Sequence, residues 1–338
     1  MIQLALARLM DGRDLTRSEA RAVMDQIMSG DATAAQIGAF LVAMRIKGET
    51  PDEIAGCAEA MRTHVLAVKP TRTDLVDTAG TGGDGARTFN ISTAAALLAA
   101  AAGAGVAKHG NRAVSSASGS ADVLESLGFE LELPPARIEE SIDTLGFGFL
   151  FAPSHHPAMR HAAPVRRELA TRTIFNVLGP LTNPAGARAQ VVGVYAADLV
   201  ATIGEVLVQL GAERAYVVHG ADGIDELSPT GPNLVAEVVD GRVHERQIDP
   251  LELGIPRCAP SELVGDSPDA NAETIRRIFA GETGPRRDAV VLNAAGALVA
   301  AGHADELPDG IALAAEAIAA GVAGERLEAL ASFSKAAA

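Results

Sequence analysis

Residues 77–120 have the sequence DTAGTGGDGARTFNISTAAALLAAAAGAGVAKHGNRAVSSASGS, and the rest of the chain is organised around them. Two glycine-rich polar turns flank one alanine-rich run, which predicts a helix between two loops. Glycines let the backbone approach a ligand closely and leave amide N–H groups free to point at an anion. The helix after Asn90 adds its N-terminal amides, and Lys108 and Arg112 add positive charge. The stretch therefore predicts a cradle for phosphates.

Two familiar nucleotide-binding motifs do not fit this stretch. Gly80, Gly82 and Gly85 satisfy the pattern G-x-G-x-x-G, but a dinucleotide fold needs an acidic residue about 20 residues further on. That distance falls in residues 100–105, which contain no carboxylate, and Lys108 follows them. The glycine–lysine signature of nucleoside triphosphatase loops is absent as well. The phosphate cradle is the interpretation that explains the polar residues in both turns.

Length and composition indicate an ordinary globular protein. The chain has 338 residues, 48% of them hydrophobic and 21% charged, which favours two domains. The longest apolar run, residues 94–107, is shorter than a membrane span, and Asp11 and Asp14 interrupt any signal peptide, so we expect a cytoplasmic protein and no membrane partner. The formal net charge of −15 argues against nucleic acid as a partner. Cys57 and Cys258 fit no metal-ligand pattern and are expected to be free thiols.

The N-terminal part of the chain is predicted to be purely helical. Thr16-x-x-Glu19, Thr33-x-x-Gln36 and Thr50-Pro51-Asp52-Glu53 each fit a capping box ahead of an apolar-periodic run. Nothing in this region indicates catalysis. We expect a small helical domain over residues 1–70, joined by helices from about 160–184, whose apolar faces serve dimerisation; packing within the chain is the alternative.

From residue 71 onward the pattern favours an α/β domain that extends to residue 338. Short β-branched runs alternate with alanine-rich helices, which predicts a mostly parallel central sheet. The predicted strands are Leu75-Val76, Val106-Ala107, Gln190 to Val194, Ala215 to Val218 and Ala289 to Leu292. A hairpin of residues 235–239 and 243–248, joined at Asp240-Gly241, is expected beside it. The fold class is thus α/β: a small all-helical N-terminal domain plus a large α/β domain.

An acidic turn follows one of these strands. Asp222, Asp225 and Glu226 stand close together after the strand that ends at Val218, and ligands of such sheets bind beyond the carboxyl ends of strands. Adjacent acids alone are more typical of a solvated turn. Combined with a phosphate cradle, they favour a site for Mg²⁺, whose preferred ligands are hard oxygens, waters and substrate phosphates.

Several motifs resemble those of the anthranilate phosphoribosyltransferase family, over essentially the whole chain. They are Gly-Thr-Gly-Gly-Asp at 80–84, Asn-Ile-Ser-Thr at 90–93, Lys-His-Gly-Asn-Arg at 108–112, His-Pro-Ala-Met at 156–159 and Gly-Pro-Leu-Thr-Asn-Pro at 179–184. The resemblance implies a nucleoside phosphorylase/phosphoribosyltransferase-like fold and a homodimer formed through the helical domain. It also implies transfer of the phosphoribosyl group of phosphoribosyl pyrophosphate (PRPP) to anthranilate in tryptophan biosynthesis.

The same resemblance implies roles for individual residues. Asp225 and Glu226, with Ser92, would be Mg²⁺ ligands, while Asn111 and Arg166 would orient anthranilate. The residues implied around PRPP are Gly80, Gly83, Asp84, Thr88, Asn90, Ile91, Ser92, Thr93, Lys108, His109, Gly110, Asn111, Arg112, Ala113, Val114, Ser115, Ser116 and Ser120. His109 and His156 are expected in the substrate pocket. The aryl amine of anthranilate is neutral near pH 7 and needs placement more than a strong base, so no catalytic base is assigned.

Two other functions remain open at this point. A pyrimidine nucleoside phosphorylase would share the architecture, but the Asn-Ile-Ser-Thr motif and the Asp225-Glu226 pair favour a pyrophosphate donor with Mg²⁺. A nucleic-acid-binding protein on the same scaffold would need a basic groove, which the net charge of −15 opposes.

Overall fold

The computed structural model describes residues 1–113 and 117–336, in which one seven-stranded sheet separates two layers of helices. The order of the strands across the sheet is β3-β2-β1-β4-β5-β6-β7. The strands are β1 (Leu75–Gly80), β2 (Gly105–Gly110), β3 (Phe147–Phe151), β4 (Ala189–Gly193), β5 (Arg214–His219), β6 (Asn233–Val239) and β7 (Arg242–Ile248).

The helices surround this sheet and form the N-terminal bundle. They are α1 (Ile2–Met10), α2 (Arg17–Met28), α3 (Ala34–Lys47), α4 (Pro51–Thr63), α5 (Ile91–Ala101), α6 (Ser120–Ser126), α7 (Pro135–Leu145), α8 (Ala152–His155), α9 (Ala163–Leu169), α10 (Phe175–Leu178), α11 (Leu199–Gln209), α12 (Pro268–Phe279), α13 (Pro285–Ala300), α14 (Leu307–Ala319) and α15 (Val322–Lys335). Of the helices described, none alone is long and apolar enough to cross a membrane; α14 and α15, bent by 72°, reach that length and composition only as a pair.

Helices α2, α3 and α4 begin where the sequence predicts. Thr16, Thr33 and Thr50 cap α2, α3 and α4, and in each case the Glu or Gln three residues on bonds back to the cap. Each cap satisfies amide groups that a helix start leaves without partners. The bundle is therefore all-helical, as expected.

The sheet is mostly parallel and reverses direction at one edge. The first five strands in its order, β3 to β5, pair in parallel, while β6 and β7 add an antiparallel hairpin. Asp240 and Gly241 both have positive φ at the hairpin turn, which suits the twist of two antiparallel strands. The predicted α/β class with a mostly parallel sheet is confirmed.

One predicted strand is wrong and one strand was missed. Residues 289–292 lie inside α13, which is buried along its whole length from Ala289 to Ala300. A helix buried on every side shows no helical periodicity, so its β-branched residues imitate a strand. The missed strand is β3, an aromatic run that is buried throughout and follows α7 directly.

The two faces of the sheet are covered differently. One face is covered by α5, α12, α13, α14 and α15, which share a core with buried residues of all seven strands. On the other face the core of the helical bundle continues into α11 and the buried residues of β4 to β6. The short helices between β3 and β4 return to the bundle, with α9 against α3 and α10 against α4. A division at residue 70, with residues 160–184 joining the helical part, stays a prediction.

Candidate active site

The candidate active site lies at the carboxyl ends of β1 and β4, the two neighbouring strands from which the chain proceeds toward opposite edges of the sheet. The chain moves from β1 to β2 and β3 on one side and to β4 and β5 on the other, so β1 and β4 meet at the switch point where ligands of open α/β sheets bind. Gly80 and Gly193 are paired at the ends of these two strands. A Cβ on Gly80 would lie 2.3 Å from Asp225 Oδ2, and one on Gly193 would lie 1.5 Å from the Asp225 carbonyl oxygen. The two glycines thus make room for the acidic turn.

Asp225 connects this turn to the glycine-rich loop. Its Oδ2 accepts a hydrogen bond of 2.7 Å from the Gly82 amide, and its own amide donates to Asp84 Oδ2 over 3.3 Å. Removal from water, followed by the negative charge of Asp84, raises the pKa of Asp225 above its usual range. Two carboxyl groups held this close together attract a cation, because a bound positive charge relieves their mutual repulsion.

Glu226 lies deeper, beside the first turn of α5. Its Oε1 accepts a hydrogen bond of 2.9 Å from the Ser92 amide, whereas its buried Oε2 has no partner in the part of the chain described. Removal from water, reinforced by Asp225, raises the pKa of Glu226 well above its ordinary value. An acceptor left without a donor in this position is costly and indicates a missing ligand.

These oxygens fit a divalent cation of the Mg²⁺ type. Across the residues described, no group of three His, Cys, Asp or Glu side chains forms a ready-made metal cage. Mg²⁺ characteristically uses one or two carboxylates and keeps waters or substrate phosphates as its other ligands. The predicted ligands Asp225 and Glu226, with Ser92 in contact, provide such an incomplete set.

The glycine-rich loop of residues 81–89 is held in an unusual backbone conformation. Gly82, Gly83 and Gly85 all have φ between 65° and 78°, which L-residues rarely adopt. The Gly83 carbonyl accepts a hydrogen bond from Arg172, whose guanidinium lies 4.1 Å from the Tyr195 ring. Because Asp84 accepts a hydrogen bond from the Asp225 amide, the predicted residues Gly83 and Asp84 lie beside the acidic turn.

The end of this loop is supported by a segment far away in sequence. Thr88 forms a β-bridge with Val264, and the Phe89 amide donates to the Leu263 carbonyl over 3.0 Å. A Cβ on Gly265 would lie 2.6 Å from the Phe89 Cα, so only glycine allows this approach. The sequence offered no signal for this support.

The second loop is linked to the first through Asn90. Asn90 Nδ2 donates to the Ser118 carbonyl over 3.0 Å, its Oδ1 accepts from the Ser118 hydroxyl over 2.9 Å, and Asn271 donates to the same Oδ1. Further along, the Asn111 amide donates to the Ser120 hydroxyl, whose oxygen lies 2.2 Å from where a Gly110 Cβ would be. The two loops therefore form one surface, as the sequence predicts.

Acidic residues of α6 already bind several groups of the second loop. Asp122 Oδ2 accepts from the amides of Ala113 and Gly119, both over 2.9 Å. Arg112 forms ion pairs with Asp122 and Glu125. Its predicted contact with a phosphate would require it to release these two carboxylates. The predicted residues Val114, Ser115 and Ser116 lie outside the described part of the chain.

Three predicted contacts are placed beneath the surface of the cradle. Lys108 is 1% exposed and its Nζ donates to the Thr78 carbonyl over 2.5 Å, so it holds the end of β1. Burial lowers its pKa to about 8, while Asp77 and Glu226 act in the opposite direction. The side chains of Ile91 and Thr93 are buried in α5, which leaves only their backbone near the loops.

His109 and His156 form a buried pair at the carboxyl end of β2. Their ring centroids are 5.0 Å apart, and His109 Nδ1 is 3.1 Å from the Gly179 carbonyl. Burial lowers the pKa of His109 to about 3 and that of His156 to about 4, so both rings are neutral near pH 7. The Nε2 atom of each ring is buried and has no partner among the residues described.

Arg166 is a half-buried cation on α9. Its guanidinium lies 5.0 Å from the Phe175 ring, and burial lowers its pKa. No ion pair or side-chain hydrogen bond of Arg166 is found within residues 1–113 and 117–336. A planar guanidinium left in this state is suited to a carboxylate ligand.

The structure also reveals contributors that the sequence interpretation missed. Arg172 and Asn271 contact the loops, and Asp122 braces the second of them. Asp77 and Asn183 are buried and bonded to one another beneath the histidine pair. Asp77 stands at the end of a predicted strand and Asn183 belongs to the motif at 179–184, so either could have been identified. Arg172, Asn271 and Asp122 make contacts that no local pattern indicates.

Comparison with known families covers both parts of the chain. Residues 3–65 match the model for the helical bundle domain of a glycosyl transferase family, and residues 72–324 match its a/b domain. A curated relative from Anaeromyxobacter sp. (strain K), named anthranilate phosphoribosyltransferase, is 55% identical over 98% of this chain and 98% of its own. One from Acetivibrio thermocellus with the same name is 49% identical over 98% of this chain and 96% of its own.

Solved structures agree with these relatives. The crystal structure of anthranilate phosphoribosyltransferase from Thermus thermophilus superposes with a TM-score of 0.93 at 48% identity, covering 98% of this chain and 99% of that one. The enzyme from Saccharomyces cerevisiae in complex with PRPP and Mg has a TM-score of 0.90 at 26% identity and covers 99% of this chain and 98% of its own. Identity of this extent over the full length, on the same fold, places the chain in the anthranilate phosphoribosyltransferase family of pentosyltransferases.

Proposed function

We propose that this chain transfers the phosphoribosyl group of PRPP to the amine of anthranilate, producing N-(5-phosphoribosyl)anthranilate and pyrophosphate in tryptophan biosynthesis. The observation that carries the proposal is the acid pair at the switch point, with the unpartnered Glu226 Oε2 beside a glycine-rich loop. A family relative binds PRPP and Mg in its own structure. The acid pair and the glycine-rich loop of this chain support the same pair of ligands here.

The two loops would hold the donor. The glycine-rich turns at residues 80–93 and 108–113 would hold the phosphates, while Asp225 and Glu226, with Ser92, would hold Mg²⁺. Bound there, Mg²⁺ supplies positive charge to the pyrophosphate as it leaves. Asp84 lies next to these proposed Mg²⁺ ligands, because it accepts a hydrogen bond from the Asp225 amide. The chain thus contributes the acidic anchor and the amide cradle separately.

The acceptor would lie against Arg166 and the histidine pair. The uncompensated Arg166 guanidinium suits the anthranilate carboxylate, and Asn111, with Gly80 nearby, would complete its orientation. The neutral rings of His109 and His156, whose buried Nε2 atoms have no partner among the described residues, would add no second charge to the pocket. These groups place a neutral amine against the anomeric carbon, which becomes oxocarbenium-like as the bond breaks. No side chain is assigned as a general base.

The chain is also proposed to act as a homodimer through its helical bundle. Ala35, Ala39, Val42 and Ile46 recur on one exposed face of α3, and Ile46 is 81% exposed. Leu4 of the adjacent α1 is 71% exposed. Contiguous exposed apolar residues on packed helices are typical of a protein interface. A second copy presenting the same face would bury them symmetrically.

A fluorescence assay tests the proposed activity. Anthranilate fluorescence is expected to fall only when both PRPP and Mg²⁺ are present. Asp225→Asn combined with Glu226→Gln should shift the Mg²⁺ dependence of the rate to higher concentration. Asp222→Asn is the matched control, because Asp222 is an exposed acid of the same turn whose left-handed backbone asparagine tolerates. A wild-type protein that consumes no anthranilate, or a double variant with an unchanged Mg²⁺ titration, would overturn the respective assignment.

A further inference from the structure

The sheet is split between β1 and β2 at the end that faces the acceptor pocket. The two strands pair only at Leu75 with Gly105 and at Val76 with Val106. By contrast, β1 continues beside β4 as far as Gly80, and β2 continues beside β3 as far as Gly110. Backbone groups that would face each other across β1 and β2 must therefore find other partners.

Asn183 fills this split. Its Nδ2 donates to Asp77 Oδ2 and to the Ala107 carbonyl, both over 2.7 Å, so one amide bridges the separated strands. Its Oδ1 accepts from the Ala185 amide over 2.8 Å, which fixes the orientation of the side chain. Asp77 Oδ1 in turn accepts from the His109 amide over 3.1 Å. With 5% of Asn183 exposed, these bonds form in a buried environment where each is hard to replace by water.

The segment that carries Asn183 also holds the histidine pair. The Gly179 carbonyl lies 3.1 Å from His109 Nδ1, and a hydrogen bond that His156 donates to the Thr182 backbone opposes the lowering of the His156 pKa. A second anchor holds the same segment, because Gln190 Nε2 on β4 donates to the Pro180 carbonyl over 2.7 Å. Residues 179–184 are thus fastened to the sheet at two points and orient both imidazoles between them.

We propose that Asn183 is a positioning residue for the acceptor pocket. By occupying the split between β1 and β2, it fixes residues 179–184 and, through their carbonyls, the rings of His109 and His156. Among the residues described, its side chain has no bond to either glycine-rich loop or to the acidic turn. The inference rests on the proposed function, since it assigns these rings to the anthranilate side of the site.

Kinetics that separate the two substrates test the proposal. Asn183→Ala should raise the KM for anthranilate about tenfold, with the KM for PRPP changed less than about twofold, because the lost bonds act on the acceptor pocket only. Ser141→Ala is the matched control: it removes a buried hydrogen bond of 2.7 Å to the Phe147 carbonyl, at the opposite end of the sheet. The control should lower the melting temperature without separating the two KM values. Equal rises in both KM values for Asn183→Ala, or no rise in either, would overturn the proposal.

A second variant keeps the test decisive if Asn183→Ala does not fold. Gln190→Ala removes the other anchor of the same segment and should raise the KM for anthranilate in the same direction, by a smaller factor. A Gln190→Ala enzyme with both KM values unchanged would contradict the positioning role. Failure of the proposed function itself would be recognised separately, since the wild-type protein would then consume no anthranilate at all.

Discussion

The two buried histidines make the protein sensitive to acid in a defined range. Burial lowers the pKa of His156 from 6.5 to about 4, so the folded state keeps the ring neutral where the unfolded chain is protonated. Above pH 6.5 the His156 ring is neutral in both the folded and the unfolded state, so it adds no pH dependence to the free energy of unfolding. Below pH 6.5, folding loses about 1.4 kcal/mol per pH unit until the folded pKa is reached.

A variant isolates this contribution. We expect the free energy of unfolding of the wild type to fall relative to His156→Gln by about 2 kcal/mol between pH 6.5 and pH 5. His109 and His155, which face the ring, are present in both proteins and cancel in the comparison. Denaturant titrations at a series of pH values measure the difference. Parallel curves for the two proteins would show that His156 is not held neutral by burial.

Arg166 carries the clearest substrate-specific prediction. Arg166→Ala should raise the KM for anthranilate by about 10- to 100-fold, the range expected for the loss of charged hydrogen bonds, and leave the KM for PRPP nearly unchanged. Arg167→Ala is the control, because Arg167 is exposed on the same helix. Initial rates with each substrate varied in turn provide both constants. Equal effects on the two substrates would count against the assigned role.

Single residues were predictable where their chemistry was local. Asp225 and Glu226 follow a strand, and glycines mark the predicted cradle, so the order of residues along the chain was enough to name both as candidates. Lys108 illustrates the opposite case, because its charge suggested a phosphate contact and its burial makes it a support for β1. Arg172 and Asn271 reach the loops from distant segments, and their roles depend on how the chain closes.

At the scale of elements, the end of β4 must leave space for the acidic turn, whose backbone packs against Gly193. Gly193→Ala would place a Cβ 1.5 Å from the Asp225 carbonyl oxygen, so the turn must move. We expect a higher Mg²⁺ concentration for half-maximal rate and a loss of about 1–3 kcal/mol in stability from overpacking. Gly324→Ala is the control, since its Cβ would meet only the Phe279 carbonyl oxygen, at 3.8 Å. An unchanged Mg²⁺ dependence in Gly193→Ala would mean that the turn does not need this space.

The capped helices of the N-terminal bundle were predicted from the sequence, whereas two buried elements, α13 and β3, were not. The amphipathic helices α2 and α4 and their caps followed from periodicity and from the Thr16 and Thr50 capping boxes. The buried helix α13 was mistaken for a strand at residues 289–292, and the buried strand β3 was overlooked. Full burial removes the alternation of polar and apolar residues on which such predictions depend.

At the scale of the whole molecule, the helical bundle and the α/β part share a core. Arg62 on α4 donates to the carbonyls of Leu181 and Leu210, and Arg17 on α2 donates to that of Gln209. The apolar core of the bundle continues into one face of the sheet. No sequence pattern indicates such a shared core, because each partner is amphipathic on its own and the match between them is purely spatial.

The exposed face of α3 provides a test of assembly. Ile46→Glu should convert the proposed dimer to a monomer at micromolar concentration, because a charge at a buried apolar contact is costly. Leu251→Glu is the control, with 54% of Leu251 exposed next to the β6–β7 hairpin. Sedimentation equilibrium of both variants measures the change. A wild-type protein that sediments as a monomer would remove the proposed interface.

The most direct measurement of the central claim is a crystal structure of this chain grown with PRPP and Mg²⁺. The account predicts donor phosphates between residues 80–93 and 108–120, with the ion about 2.0–2.1 Å from an oxygen of Asp225 or Glu226. A donor bound at another place, or an ion coordinated without either carboxylate, would contradict it.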